Sequence, residues 1–205
     1  MSRTYLITGA ASGIGKATAT RLKEQGHTVI GADLKDADIV ADLATPDGRA
    51  HLVQRAGELS GGRLDAVIAG AGLAGFEPRA VSVNYFGAVA TLEGLRPLLA
   101  AGTDPRAVVI ASVASVHPHD TAIADAALAG DEEAALAAAQ AAVDRGEGYA
   151  IYGSNQGRHR PMDTPYRRDR RLGGRRYSPQ RHRPRNRRHP HDGTHAGQPR
   201  HAQDR

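Results

Sequence analysis

Up to residue 154, short apolar runs rich in β-branched residues alternate with longer stretches whose apolar positions recur at helical spacing. Thr4 to Thr8 is the first run; it stops at Gly9 and predicts a buried strand. A helix is predicted from about Gly13 to Gln25, with Ile14, Ala17, Leu22 and the stem of Lys23 near one face and Gly26 as its stop. Thr28 to Ala32 predicts a second strand and Asp38 to Val40 a short third, followed by a helix from about Pro46 to Leu59. Asp65 to Ala69 predicts a strand, Ala80 to Leu99 a long helix, and Ala107 to Ala111 a fifth strand. This alternation implies an α/β chain, a doubly wound parallel sheet with helices on both faces. Right-handed crossovers bring the C-terminal ends of the strands to one edge, where a site in such a sheet belongs. From Thr121 to Asp144 the chain is Ala-rich and predicts two helices broken at Gly130. Asp131 caps the second, with Glu132 and Glu133 in its first turn.

Charge divides the chain at the same place as hydropathy. Of 27 basic and 22 acidic residues, 15 Arg and 4 Asp lie from Asn155 to Arg205, a net +11 that leaves −6 for residues 1–154. Those 51 residues hold six Pro, one Leu (Leu172) and no Ile, Val or Phe, so they cannot bury a core of their own. The expectation is one domain, residues 1–154, truncated after its fifth strand and followed by a disordered basic tail, 155–205. The absence of Cys excludes a disulfide scaffold, a Cys-ligated zinc or iron–sulfur site and thiol catalysis, and fits a reducing compartment. The apolar run that ends at Thr8 is too short for a signal peptide or a membrane span, so a cytoplasmic protein without membrane association is expected.

The strongest chemical signal lies where the first strand hands over to the first helix. Gly9, Ser12, Gly13, Ile14 and Gly15 form a Gly-rich turn that lets a pyrophosphate approach the backbone, while the helix N-terminus offers unpaired N–H groups. Asp33 follows at the end of the second strand. A carboxylate there accepts both ribose hydroxyls of NAD and repels the 2′-phosphate of NADP, and no Arg stands in the turn to attract that phosphate. The competing reading of Asp33 is a strand-terminal acid capping a turn. Asp42 and Leu43 can frame an adenine, or Asp42 can be an ordinary loop acid.

The spacing from Thr8 through Gly15 resembles the cofactor fingerprint of the short-chain dehydrogenase/reductase family, a Rossmann-type fold. Gly70-Ala71-Gly72 resembles its second glycine motif, without the usual Asn. Val83 to Gly87 resembles its Asn-x-x-Gly helix motif, Ile110 to Ser112 its catalytic serine, and Tyr152 to Ser154 the start of its Tyr-x-x-x-Lys motif. Within the family, Ala41 to Leu43, Val81 to Gly87 and Ser112 to Ser115 resemble the bacterial 3α-hydroxysteroid dehydrogenase/carbonyl reductase subgroup. So does the 40-residue gap from Ser112 to Tyr152, where most members have about a dozen. The resemblance implies an NAD-dependent enzyme that interconverts a ketone and a secondary alcohol of steroid type and that forms homo-oligomers. Three catalytic residues follow from it. Tyr152 would protonate the carbonyl oxygen, Ser112 would hydrogen-bond it, and Asn84 would anchor a water. Each has a plainer reading: Ser112 as a strand-end hydroxyl bonded to backbone, Asn84 as a buried helix amide, Tyr152 as a packed aromatic. Tyr149 competes with Tyr152, but Gly153 stands four residues after it.

The family pattern breaks at Gln156, where the Lys is expected. A phenol ordinarily titrates near ~10, and a cation ~4 Å away at an effective dielectric of ~20 favours its anion by roughly 4 kcal/mol. A neutral amide supplies no such charge. Back-translated from Asn155 with the frame moved by one base, the tail reads Thr-Lys-Ala-Ala-Ile-Asp-Arg-Trp-Ile-Arg-Arg-Thr-Ala with favourable third-base choices. Further on it reads Ile-Pro-Leu-Asn-Ala-Ile-Ala-Pro-Gly-Ile-Val-Asp-Thr-Pro-Met-Thr. That restores Lys four residues after Tyr152 and a Pro-Gly loop, and it predicts a reading-frame change and impaired activity. Rival readings are a nucleic-acid-binding tail with only Tyr166 and Tyr177 for stacking, the less favoured of the two, and a cofactor-binding regulator without chemistry. His189, His191 and His195 lack a second-shell framework, and no metal site is expected.

Overall fold

Five runs pair as parallel strands: β1 (Thr4–Thr8), β2 (Thr28–Asp33), β3 (Ile39–Val40), β4 (Ala66–Ala69) and β5 (Arg106–Val109). The computed structural model describes residues 2–116 and 119–157, and in it the strands lie in the order β3-β2-β1-β4-β5. The chain winds outward from β1 through β2 to β3, then crosses back to β4 and on to β5. The winding direction therefore reverses between β1 and β4, and a crevice opens outside their carboxyl ends. The α/β class and the strand order of a doubly wound sheet match the expectation.

Helices cover both faces. Leu6, Ile30 and Val67 of the strands pack with Leu52 and Ala56 of α2 (Pro46–Leu59) and Leu95 and Leu99 of α4 (Ala88–Ala100). On the opposite face Ile7 and Val29 pack with Ala19 of α1 (Gly13–Glu24). Leu6 and Ile7 are adjacent and point to opposite sides, as the period of two in a strand requires. The long helix expected over 80–99 is a continuous run of α3 (Arg79–Val81), a π-helical segment Ser82–Gly87, and α4. A third cluster lies beyond the sheet. Ala135, Ala139 and Ala142 of α6 (Glu132–Asp144) pack with Ile123 and Ala127 of α5 (Thr121–Ala129), Phe86, and Ile151 of α7 (Tyr149–Gly157).

Local chemistry sets the helix ends. Pro46 occupies the first turn of α2, and the Thr45 hydroxyl accepts from Gly48 N at 3.0 Å. Gly130, at φ 80°, ends α5 in the left-handed conformation, and Asp131 then caps α6 by accepting from Ala134 N at 2.9 Å. The apolar face assigned to α1 from sequence is corrected. Of the four residues assigned, Leu22 does pack against the Ile7 and Val29 cluster, but Ile14, Ala17 and Lys23 are exposed, and Gly15 and Ala19 are the buried positions. Below the strands, the buried Asp65 accepts from Thr4 N at 2.9 Å and Thr103 N at 2.8 Å. These amides, Thr103 first, hold its carboxyl below the usual carboxylate range.

Helix α7 runs through Asn155 to Gly157, so the first residues assigned to the tail continue a helix. The expected tail disorder, Tyr166, Tyr177, His189, His191 and His195 lie outside the described residues. Among the described residues no helix is long and apolar enough to cross a membrane.

Candidate functional site

Two glycine turns meet at the β1–β4 crevice. Gly9, at φ 74°, follows β1, and a Cβ on it would lie 2.8 Å from Gly70 O and 2.9 Å from Ala71 Cα. A Cβ on Gly15 would lie 2.0 Å from Gly9 O, so the first turn of α1 presses against the turn that precedes it. The Thr8 hydroxyl receives Gly70 N and Ala71 N, each at 3.1 Å, and ties the second glycine turn to the first. Ser12 precedes α1 and its side chain makes no capping bond, so the N–H groups of the first turn stay available to an anion.

Asp33 ends β2 beside these turns. Its Oδ2 accepts from Ala11 N at 2.9 Å and its Oδ1 from Leu34 N at 2.7 Å. The plainer reading of Asp33 holds, since it braces the Gly-rich turn, and the carboxylate so fixed also lines the cavity. That cavity is about 390 Å³. Gly9, Ser12, Gly13, Ile14 and Gly15 line it from the first turn, Gly70, Ala71 and Gly72 from the second, and Asp33, Asp42 and Leu43 from the β2–α2 side. All eleven residues assigned to the cofactor from sequence therefore border one space. A pyrophosphate fits the glycine cradle, where side chains would fill it, and a ribose diol fits the pinned carboxylate. NAD is thus compatible with the residues present.

The three residues assigned to catalysis fall outside that lining. Asn84, 5% exposed, lies in the π-helical segment, a local widening that recurs at functional sites. Its Oδ1 accepts from Leu73 N at 2.7 Å, and its Nδ2 donates to Leu73 O at 2.9 Å and Asn155 Oδ1 at 3.0 Å. This is the plainer role of a buried helix amide; one lone pair of Oδ1 remains for a water. Ser112, half-buried, accepts from Ala114 N at 3.2 Å, again the plainer role, and its own hydrogen remains to be donated. Tyr152 is half-buried on α7, which packs on the 3₁₀ turn Val113–Val116 beside Ser112. Tyr149 is 62% exposed. Gln156, one turn beyond Tyr152, donates to Asn155 Oδ1 at 3.3 Å. Asn155 is 1% exposed, and its Nδ2 is buried without a partner. Its oxygen already receives two donors, so turning the amide over would set Nδ2 against them.

Two arginines escaped the sequence reading. Arg79 lines the cavity and donates to Asp42 Oδ2 at 2.8 Å. Arg49, 11% exposed, joins α2 to Glu132 at 2.6 Å and holds that carboxyl below its usual range. No motif announces either, because their partners lie 37 and 83 residues away.

The fold and its glycine cradle define a nucleotide-binding doubly wound α/β protein. Residues 3–127 match the model of the short chain dehydrogenase family, and the chain belongs to that family. It is 38% identical over 155 residues to the 3-alpha-hydroxysteroid dehydrogenase/carbonyl reductase of Comamonas testosteroni, covering 73% of this chain and 60% of that protein. The structure of the 3-alpha-hydroxysteroid dehydrogenase from Pseudomonas sp. B-0831 complexed with NADH superposes with a TM-score of 0.69 at 40% identity, covering 75% of this chain and 61% of that one. Salutaridine reductase from Papaver somniferum shares the fold, with a TM-score of 0.60 at 17% identity over 75% of this chain and 78% of its own. The chain thus spans about three fifths of the length of the first two relatives.

Proposed function

We propose that the domain is an NAD-dependent oxidoreductase that interconverts a ketone and a secondary alcohol, with a steroid-like substrate, and that this chain retains cofactor binding while its chemistry is impaired. The observation that carries the reading is the cavity at the strand switch point, where two glycine turns face a carboxylate pinned by two backbone amides. The likeness to hydroxysteroid dehydrogenases, one of them complexed with NADH, supports the cofactor and the substrate class. The reading includes a cytoplasmic enzyme, for which the absence of Cys is the support.

A bound nicotinamide supplies or accepts the hydride. In the reducing direction Tyr152 gives its phenolic proton to the carbonyl oxygen, and in the other direction its phenolate removes one. Ser112 donates to the same oxygen as negative charge builds there. Asn84 holds the Leu73 loop and, through Asn155, the helix that carries Tyr152. Gln156 places an amide directed at its neighbour where a cation would favour the phenolate.

The impairment follows from a one-base change of reading frame just after residue 154. Two features of α7 support it: Asn155 buries an unpaired amide, and Gln156 is neutral. In the shifted frame these positions are Thr and Lys. Under this reading residues 155–205 are no domain and no nucleic-acid arm, and the family's oligomeric assembly is lost with them. Titration with NADH and NADPH tests the first half of the proposal. Tight binding of NADH with NADPH at least ~10-fold weaker is expected, from the loss of hydrogen bonds to a charged acceptor. Equal binding of the two, or none, overturns it. The second half is read directly from the gene across the codons for Gly153 to Gly157; an unshifted frame with ordinary ketone turnover refutes it.

A further inference from the structure

Arg49 makes more long-range polar contacts than the packing of α2 requires. Its Nε donates to Leu43 O at 2.7 Å, and its Nη2 to Ala44 O at 3.3 Å and Ser82 O at 3.2 Å. Nη1 and Nη2 also grip Glu132 in a two-point pair, both at 2.6 Å, and the guanidinium lies 5.8 Å from the Phe86 ring centre. One nearly buried cation thus bridges the loop after β3, the helical segment that carries Asn84, and the first turn of α6. Helix α6 belongs to the stretch between Ser112 and Tyr152, so Arg49 links the catalytic side of the molecule to the loop that borders the nucleotide cavity.

That loop is built for a close fit. A Cβ on Gly48 would lie 2.0 Å from Asp42 O, and one on Gly87 would lie 3.0 Å from Leu43 Cβ and 3.3 Å from Leu43 O. Asp42 is held by Arg79, by Ala44 N at 2.9 Å and, through its carbonyl, by Thr45 N at 3.1 Å. The Leu43 and Ala44 carbonyls accept from the Arg49 side chain, whose planar fork reaches both while it grips a carboxylate.

We propose that Arg49 is a positioning residue for the adenine end of the dinucleotide, fixing the Asp42–Ala44 loop and, through Glu132, making its position depend on α6. The inference rests on the cofactor reading above and adds a residue and a coupling to it. It gives the stretch between Ser112 and Tyr152 a second role: α6 reaches past the substrate side and braces the far end of the cofactor.

The test separates the two halves of the ligand. In the full chain, Arg49→Gln should weaken adenosine monophosphate and NADH about tenfold, the scale of one lost charge-assisted hydrogen-bond set. Nicotinamide mononucleotide should bind unchanged. Glu132→Gln should move the ratio of the two half-ligand affinities in the same direction by about threefold, and Arg49→Lys should recover part of the loss. Hydrogen exchange at the Ala44 and Thr45 amides should speed up in Arg49→Gln and Glu132→Gln without ligand. If Arg49→Gln does not fold, Glu132→Gln decides: an unchanged ratio and unchanged exchange overturn the proposal, as does equal weakening of both halves. An unmodified chain that binds neither adenosine monophosphate nor NADH overturns the cofactor reading instead, and the exchange rates still judge the coupling.

Discussion

The rim formed by β1 and β2 and the rim formed by β5 and α7 differ in how completely they are paired. At the first, the polar groups that shape the turn have partners: Thr8 serves two amides, Asp33 two more, and Gly9 N reaches Ala32 O at 2.8 Å. The β1 side chains Leu6 and Ile7 are fully buried. At the second, Val108 is 48% exposed, Val113 76% and Val116 78%, and among the described residues β5 pairs only with β4. Asn155 leaves a buried donor orphaned a few residues from Tyr152. A sheet edge with an apolar surface beside it is a surface shaped for covering. The polar groups of the first rim are therefore paired, whereas the second leaves apolar surface and one buried donor without partners; under the proposed function these are the cofactor side and the impaired catalytic side.

The largest expected effect removes that contrast. Deleting one base at the Asn155 codon should restore Lys at position 156 and the Pro-Gly loop of the shifted frame. A cation worth roughly 4 kcal/mol to the phenolate corresponds to about a thousandfold in turnover of a ketone with NADH. Gln156→Lys alone should recover less, because the rest of the shifted-frame sequence is still absent. Equal turnover by the unmodified and the frame-restored proteins would show that the second rim is complete as it stands.

The next effect breaks the first rim. Asp33→Ala removes the acceptor of Ala11 N and Leu34 N and, under the proposed function, the carboxylate that would accept the ribose hydroxyls. NADH affinity should fall by roughly 10- to 100-fold, as for loss of hydrogen bonds to a charged group, and the preference over NADPH should disappear. Isothermal titration with both cofactors measures this; a preserved preference would relocate the discrimination to the Asp42 carboxylate.

The two rims were unequally legible in the sequence for a physical reason. The first is built from contiguous residues whose spacing is dictated by backbone geometry, so Gly9, Gly13, Gly15 and Asp33 can be read where they stand. Helix ends are local in the same way, and Thr45-Pro46 and Gly130-Asp131 marked theirs. The buried face of α1 was misread because apolar content pointed to Ile14 and Ala17. The buried positions are instead Gly15, where a Cβ would meet Gly9 O at 2.0 Å, and Ala19, which packs on Ile7 and Val29. Arg49 and Arg79 were invisible because a salt bridge across 83 or 37 residues leaves no spacing rule. The π-helical segment at Asn84 was read as ordinary helix, since its composition carries no mark of the extra residue per turn.

A smaller effect tests how far the first rim depends on the opposite end of its strands. Asp65→Asn keeps the shape but replaces one acceptor oxygen with a donor, leaving Thr4 N or Thr103 N facing an N–H group. The expected loss is about 1–3 kcal/mol, the cost of one unsatisfied buried group. A urea midpoint reads it, and NADH affinity in the folded protein should hardly change. A large change in affinity would mean that the base of the sheet and its carboxyl rim are coupled.

The pH dependence gives the finest comparison, because two of the depressed carboxylates, Asp65 and Glu132, lie in different regions and are held by different partners. Asp65 lies below its usual range through the Thr103 and Thr4 amides, and Glu132 through the Arg49 hydrogen bonds. A carboxyl whose folded pKa is lower than its unfolded one binds fewer protons when folded. Its contribution to stability is complete above the ordinary carboxylate range near ~4 and is lost as pH falls through the folded value. Unfolding midpoints should therefore be flat from pH 7 to about pH 5 on account of these two groups and decline below it. Asp65→Asn and Glu132→Gln should each make that decline shallower. Asp65 should account for the larger share, since it is buried and fixed by backbone, whereas Glu132 keeps 25% of its side chain in solvent, where water screens the pair. If Glu132→Gln flattens the acid limb more than Asp65→Asn, the bridge between α2 and α6 outweighs the sheet's own anchor. The stretch between Ser112 and Tyr152 would then be the more tightly held of the two regions.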